Sequence, residues 1–197
     1  MSSCGRRAIL PALCALISCG PPVAKAADPE VRFDFETGDL QGWMVVEGRF
    51  DELVCDREKF HNQPTVAYNK QGRYFLSTLE MSNGRPNDRM TGVVISPVFR
   101  LGGPQISLLV GGGAHSDTYV ALCMKDGEEI LRASGANTEV MRRVTWDAMS
   151  VVGRRVFIKV VDHNRGSWGH VTLDDVRARG TIDPPATARL QRRYSQI

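Results

Sequence analysis

The sequence predicts an all-β domain, a sandwich or a barrel, over residues 31–179. Apolar residues recur there at every second position, as in Val31, Phe33 and Phe35, which is the period of a half-buried strand and not of a helix. Short apolar runs alternate with stretches of Gly, Asp and Asn, and no long helical period interrupts them. This regular spacing is typical of antiparallel sandwiches and barrels.

Successive segments carry the strand pattern, and turn-forming residues separate them. They are VRFDFE, RYFLSTLE, TGVVISPVFRL, PQISLLV, TYVALCM, EEILRAS, RRVTWDAMSV, RRVFIKVVD and HVTLDDVRA. The stretch Gly102-Gly103-Pro104 predicts a turn between the third and fourth segments. Residues 181–197 contain Pro184-Pro185 and no period, so we expect a flexible tail after a domain at 27–180.

The first 26 residues predict an export signal. Arg6 and Arg7 precede an apolar run, and Ala24-Lys25-Ala26 forms an A-x-A cleavage site, which makes 1–26 a signal peptide. The alternative is a lipoprotein signal in which Cys19 is lipidated. Either signal predicts a periplasmic or extracellular protein, or a lipoprotein of the outer envelope. No apolar run reaches the roughly 18 residues of a membrane span.

The net charge of +3 belongs to this leader, which contains three basic residues and no acid. The remainder has 22 basic and 22 acidic residues, a balance that does not favour nucleic acid as a partner. Two cysteines, Cys55 and Cys123, also remain. They predict either one disulfide of an exported protein or, for Cys123 within YVALCM, a small buried hydrophobic residue.

Motifs for catalysis are weak, and we predict a protein that is not an enzyme. No G-x-S-x-G nucleophile motif occurs, and Gly111-Gly112-Gly113 lacks the Gly-Lys-Ser/Thr of a phosphate loop. The triple glycine predicts a close backbone approach or a bend at a strand end. Glycoside hydrolysis needs two carboxylates beside one bond, and the sequence cannot place such a pair.

Carbohydrate binding accounts for more of the unusual residues. A sugar presents an apolar ring face and a rim of hydroxyls, so its site needs an aromatic platform beside carboxylate, Arg or His groups. Trp168 and His170 follow Asp162 across one turn, and Arg132 and Glu139 flank another loop. For Trp168 and His170 the alternative is a purely structural role in the core.

The pair Asp174-Asp175 raises the question of a metal. Asp175 falls on the face that Val171 and Leu173 share, and a carboxylate that points into a core needs an Arg or a metal as partner. Calcium would take Glu36 and Asp175 as candidate ligands. The alternative is a β-bulge that turns both aspartates to solvent.

Seven blocks in one order resemble the family 66 carbohydrate-binding modules attached to bacterial levanases and related family 32 glycoside hydrolases. The blocks are FDFETGDLQGW, GRYFLSTLE, TGVVISPVFRL, ISLLVGGG, LRASGANTE, WDAMSVVGRRVFIKVVD and WGHVTLDDVR. The resemblance implies a single jelly-roll-like antiparallel β-sandwich that binds terminal fructose units of fructans without catalysis. The sugar-contacting residues it implies are Arg132, Glu139, Asp147, Asp162, Trp168 and His170.

The sequence therefore predicts an exported single-domain binder of fructan or a similar sugar, with no required cofactor and with calcium, if bound, in a structural role. One alternative is an envelope lipoprotein or protein–protein interaction module on the same scaffold. The second alternative is a small glycoside hydrolase.

Overall fold

The computed structural model describes Met1 and residues 29–196, and these form a nearly all-β protein. The leader at 1–26, its cleavage site and Cys19 lie outside this part of the chain. The elements are β1 Glu30–Phe33, β2 Met44–Arg49, β3 Val54–Cys55, β4 Phe75–Ser77, β5 Thr91–Ile95, β6 Phe99–Gly112, β7 Thr118–Met124, β8 Glu129–Ala133, β9 Thr138–Asp147, β10 Arg155–Asp162, β11 Val171–Ile182 and α1 Pro184–Tyr194.

The strands form one antiparallel sheet that folds over on itself into two layers. The first layer has the order β8-β7-β10-β5-β2. In the second layer β9 and β11 flank β6, β1 and β4 pair along the far side of β11, and β3 pairs with β4. The layers join where Arg155 of β10 pairs with Arg100 of β6. The predicted antiparallel β-sandwich is confirmed.

Strand β10 shows how the sequence pattern builds the core. Val156, Ile158 and Val160 point between the two layers, where they are fully buried among apolar side chains of both. Phe157 and Val161 point to the outer face of the first layer and are also buried. Because both faces are covered, β10 is a near-continuous apolar run and not a simple alternation.

The C-terminal segment covers the outer face of the first layer. The prediction of a flexible tail at 181–197 is therefore wrong. Strand β11 continues to Ile182, and helix α1 packs Ala186 and Leu190 against the sheet. The Asp183 carboxylate caps the helix by accepting a hydrogen bond from the Ala186 N–H at 2.9 Å. Proline is well suited to the first turn of a helix, so the Pro-Pro pair begins α1 and does not mark a linker.

The predicted turn at Gly102-Gly103-Pro104 is also wrong, because β6 runs unbroken from Phe99 to Gly112. The strand bends there as its first residues pair with β10 and its later ones with β9, and β11 carries a register shift opposite the bend. A β-carbon on Gly103 would lie 2.9 Å from the Arg179 side chain. The glycine therefore allows close packing inside a strand.

The two cysteines lie in separate clusters, and the disulfide alternative is wrong. Cys55 packs with Phe60 and Tyr68 on the outer face of the second layer, whereas Cys123 packs under α1 on the first. Both thiols are free, and burial raises the pKa of each to about 12. Cys123 is the small buried hydrophobic residue that its sequence context suggested. Along residues 29–196, no helix combines the length and apolar character needed to cross a membrane.

Candidate functional site

A pocket of about 260 Å³ opens at the end of the sandwich where β6 and β10 end and β9 and β11 begin. Its walls come from residues 60–63, 86–88 and 167–170, together with Leu79 and Glu139. Three of the predicted sugar-contacting residues, Glu139, Trp168 and His170, therefore line one pocket. We call it the end pocket.

The triple glycine explains how the loop carrying Trp168 comes so close to β6. A β-carbon on Gly113 would lie 1.9 Å from the Trp168 carbonyl oxygen, and one on Gly112 would lie 2.4 Å from that of His170. Gly112 also has a φ of +91°, which residues with a side chain rarely adopt. The close backbone approach predicted for this motif is confirmed, and it lies directly against the loop that carries the pocket residues Trp168 and His170.

Trp168 is the aromatic surface of the pocket. Its indole ring lies 5.7 Å from the His170 ring at an angle of 32°, and the residue is half-buried. Trp43 and Trp146, in contrast, are buried members of the core. The backbone φ of Trp168 is +64°, an uncommon conformation for a bulky residue.

His170 is buried between two carboxylates. Its Nδ1 lies 2.6 Å from Asp88 Oδ1, and its Nε2 lies 3.0 Å from Glu139 Oε1. Burial alone would lower the pKa of His170, but the two carboxylates outweigh it and raise that pKa to about 9. The imidazole is therefore a cation at neutral pH, and it holds both carboxylates at the pocket.

Glu139 retains an unused acceptor. The residue is buried at β9 and its Oε1 faces His170, while its Oε2 has no hydrogen-bond partner in the part of the chain described. An unpaired buried carboxylate oxygen costs free energy unless a ligand or water donates to it. The residue lines the pocket, so this oxygen is the unsatisfied polar atom nearest to a ligand bound there.

Asp162 lies behind His170 and does not line the pocket itself. It points between the layers from the end of β10, is fully buried, and neither carboxyl oxygen has a hydrogen-bond partner among the described residues. Burial raises its pKa to about 7, although the nearby His170 cation opposes that rise. The Asp162 carboxyl group interacts electrostatically with His170. It does not line the end pocket, so it would not contact a ligand bound there.

The sequence did not indicate the residues that line the other side of the end pocket, His61 among them. His61 lines the pocket, and its Nε2 lies 2.9 Å from Oε2 of the buried Glu80. Arg57 and Tyr68 donate to the same carboxylate, at 3.0 Å and 3.3 Å. His61 and Asp88 stand in irregular segments, where no strand period exists to predict which way a side chain points.

Two predicted residues lie away from the pocket. Arg132 extends from β8, where its guanidinium forms an ion pair with Glu129 and stacks 4.2 Å above the Tyr119 ring. Asp147 ends β9 and accepts a hydrogen bond from the Met149 N–H. Eight residues of strand place it about 27 Å from Glu139. The assignment of Arg132 and Asp147 to the same pocket is therefore wrong.

Glu36 and Asp175 do not form a common metal site. The Asp175 carboxylate is fully buried among the guanidinium groups of Arg32, Arg143 and Arg177, with nearest distances of 3.3, 2.7 and 2.8 Å. Glu36 accepts instead from the backbone N–H groups of Arg73 and Tyr74. Over residues 29–196 with Met1, no three His, Cys, Asp or Glu side chains are grouped as metal ligands. These oxygens are already satisfied, so the pair does not fit calcium.

The predicted bulge is present, but it does not expose the aspartates. The register of β11 shifts after Asp174, and Asp175 has a φ of +45°. Asp174 is buried too, and it accepts hydrogen bonds from the backbone N–H groups of Gln71 and Asp175, both at 2.6 Å. Burial raises the pKa of Asp174 to about 7.

Fold and site together define an antiparallel β-sandwich with a small end pocket that combines one indole face with carboxylate and imidazole side chains. No protein-family profile matches the chain. A curated protein of Aspergillus rugulosus, provisionally named glycosyl hydrolase ecdE, is 29% identical over 146 residues. That stretch is 73% of this chain but only 20% of the relative's length.

Solved structures with a similar backbone trace share little sequence identity with this chain. The K1 adhesin domain of Lys-gingipain from Porphyromonas gingivalis W83 has a TM-score of 0.49 at 12% identity, covering 79% of this chain and 99% of its own. TmCBM61, solved with β-1,4-galactotriose, has a TM-score of 0.43 at 14% identity, covering 76% and 93%. Both scores are below 0.5, so the fold assignment rests on the strand pairing and not on these likenesses.

Proposed function

We propose that the protein binds carbohydrate in the end pocket without cleaving it. The observation that carries this proposal is Glu139 Oε2, a buried acceptor without a hydrogen-bond partner among the described residues, on a residue that lines the same pocket as Trp168. A sugar ring can stack its apolar face on the indole while one hydroxyl donates to that oxygen. His170 holds the carboxylate in place from the other side.

The size and charge of the pocket favour one neutral sugar unit. Its volume of about 260 Å³ lies below the roughly 300–1,000 Å³ of pockets for drug-sized ligands. Asp88 and Glu139 line it, and the Glu80 carboxylate lies just behind His61. An acidic sugar would be repelled by this group of carboxylates, whereas neutral hydroxyls can donate to them.

We further propose that the sugar is the terminal fructose of a fructan such as levan. Support for this identity comes from the ordered sequence blocks that resemble family 66 modules, three of whose implied ligand residues line the pocket. A terminal unit suits a pocket at the end of a sandwich, because a polymer chain can extend from it into solvent. We also propose that the protein acts outside the cytoplasm, where such polymers occur.

The test is calorimetric titration of the full chain with levan, inulin, fructose and a neutral non-fructan such as β-1,4-galactan. We expect saturable heat with levan and fructose. The variant Glu139→Gln keeps the shape of the side chain but replaces a charged acceptor. Loss of one charge-assisted hydrogen bond is worth about 1.5–3 kcal/mol, so we expect the affinity to fall roughly 10- to 150-fold.

The matched control is Glu128→Gln, the same chemical change at an exposed residue in the β7–β8 turn. It should bind like the unmodified protein. Equal weakening in both variants would contradict the assigned pocket. Absence of heat with every sugar, from protein that unfolds cooperatively, would contradict carbohydrate binding itself.

Glycoside hydrolysis is a second candidate, because Asp88 and Glu139 line one pocket on opposite sides of His170. Two carboxylates beside one bond are the usual requirement for that reaction. Both carboxylates face the same imidazolium here, which favours a binding role. Release of reducing sugar from levan or β-1,4-galactan, abolished by Asp88→Asn and by Glu139→Gln, would establish hydrolysis in place of simple binding.

A further inference from the structure

The end of the sandwich opposite the end pocket is strongly basic. Two adjoining hollows of about 220 and 270 Å³ share Lys125 and Arg155 in their walls. Together they contain a single acidic residue, Asp126. The cations that line them are Arg100, Lys125, Arg154, Arg155, Arg189 and Arg193. We call this surface the basic end.

Most of this positive charge is not neutralised. Within the described part of the chain, only Arg155 of these six residues has a carboxylate within ion-pair distance, Asp183 at 2.6 Å. Arg100 donates to the Gly153 carbonyl at 2.7 Å, and Lys125, Arg154 and Arg189 are exposed. Residues 27–197 carry as many acidic as basic residues. The six cations of the basic end therefore outnumber the carboxylates beside them, which belong to Asp126, Glu128 and Asp183.

Exposed apolar side chains accompany the cations. Met149 is 64% exposed and Val152 is 38% exposed, and both belong to the turn that leads into Arg154. Ile182 is 37% exposed and pairs with Phe99, the neighbour of Arg100. A soluble anion would use the cations alone, whereas an anionic lipid surface uses cations at the headgroups and apolar side chains below them.

The chain also enters the fold at this end. The Pro29 carbonyl accepts a hydrogen bond from Gly180 N–H, and β1 starts with Glu30 opposite Arg179, near the end of β11. Strand β10 runs from Arg155 at the basic end to Asp162 near the end pocket, a length of about 25 Å. A surface bound at the basic end would therefore leave the end pocket facing away from it.

We propose that the basic end binds anionic phospholipid surfaces. Binding orients the domain with the end pocket toward solvent. The phosphate groups of the headgroups contact Lys125, Arg154 and Arg189, and the side chains of Met149 and Val152 enter the interface. This inference does not depend on the ligand of the end pocket.

The test is co-sedimentation of the full chain with vesicles of phosphatidylcholine alone or with 30% phosphatidylglycerol. We expect binding only to the anionic vesicles and weaker binding as NaCl increases. Each Lys or Arg near such a surface contributes roughly fivefold to partitioning, so Lys125→Gln/Arg154→Gln/Arg189→Gln should lower it about 100-fold. Met149→Ser/Val152→Ser should lower it about tenfold, because apolar burial in the interface is lost.

The matched control is Arg49→Gln/Arg85→Gln/Arg165→Gln, the same loss of charge from exposed residues around the end pocket. This variant should partition onto anionic vesicles within about twofold of the unmodified protein. Equal losses in the two triple variants would overturn the proposal, because attraction would then follow net charge alone. Failure to bind anionic vesicles would overturn it as well. So would an unchanged affinity of Met149→Ser/Val152→Ser together with tight binding to soluble polygalacturonate, since the ligand would then be an acidic polymer.

Discussion

Burial of a protonated His170 makes the stability of the protein depend on pH in a defined direction. The folded protein holds the imidazole proton with a pKa of about 9, because Asp88 and Glu139 outweigh the cost of burial. In the unfolded chain the ordinary value of about 6.5 applies. The folded state therefore binds the proton more tightly, and its stabilisation is complete below pH 6.5 and lost as the pH rises to 9.

The difference between about 9 and 6.5 corresponds to roughly 3 kcal/mol of unfolding free energy. We expect urea denaturation to show that the unmodified protein loses about 3 kcal/mol more between pH 5.5 and pH 10 than His170→Gln loses. Asp162 and Asp174, whose pKa values burial raises to about 7, also reduce stability as the pH rises. The contribution of Asp174 is the same in both proteins and largely cancels. The pKa of Asp162 rises further in His170→Gln, because the His170 cation no longer opposes that rise, so this variant keeps a pH-dependent loss of its own.

The control is His163→Gln, at a histidine whose side chain is 42% exposed. This variant should lose stability with pH as the unmodified protein does. If His170→Gln and the unmodified protein follow parallel pH profiles, the reasoning is refuted, because His170 would not hold an extra proton in the folded state.

Three further variants test the packing that supports the site. Asp175→Asn removes the buried charge between Arg32, Arg143 and Arg177. We expect its free energy of unfolding, measured in urea, to fall by about 1.5–3 kcal/mol. The control Asp147→Asn, at an exposed residue, should change that free energy by less than about 0.5 kcal/mol. Gly112→Ala should reduce sugar binding in calorimetry because its β-carbon would lie 2.4 Å from the His170 carbonyl oxygen. The control is Gly153→Ala, at a glycine with a similarly positive φ but no atom within 4 Å of the added β-carbon. This variant should bind sugar like the unmodified protein. Leu190→Ala should destabilise the fold by about 2–4 kcal/mol in urea by removing the main apolar contact of α1, and a loss below 0.5 kcal/mol would mean that the helix is not docked.

Local sequence patterns predicted the antiparallel β-sandwich. They did not predict where a strand bends or how the C-terminal segment packs against the sheet. Period-two alternation predicts strands such as β1, because side chains on a sheet alternate between faces, whereas β10 is apolar on both faces. It could not show that Gly102-Gly103-Pro104 lies within β6, since the same residues serve turns and close-packed bends. The sequence around Pro184-Pro185 predicts a flexible tail, because the cap at Asp183 and the burial of Leu190 depend on the sheet beneath.

Strand order explains why some of the predicted site residues line the end pocket, but it explains neither Trp168 nor the residues that the sequence did not indicate. Glu139 and His170 adjoin the starts of β9 and β11, so sandwich topology brings them to one end. Asp147 is at the other end of β9, a consequence of strand length that sequence blocks do not reveal. His61 and Asp88 come from irregular segments, whose contacts are set by tertiary packing and not by local period.

The most direct test of carbohydrate binding in the end pocket is a two-dimensional NMR titration of the tryptophan indole N–H groups with levan oligosaccharides. Trp43 and Trp146 are buried in the core, and Trp168 lines the pocket, so each resonance reports a different place. We predict a saturable shift of the Trp168 signal, with those of Trp43 and Trp146 nearly unchanged. A saturable shift of other backbone signals while Trp168 stays fixed would contradict the assigned pocket, and no shift of any signal with any sugar would contradict carbohydrate binding.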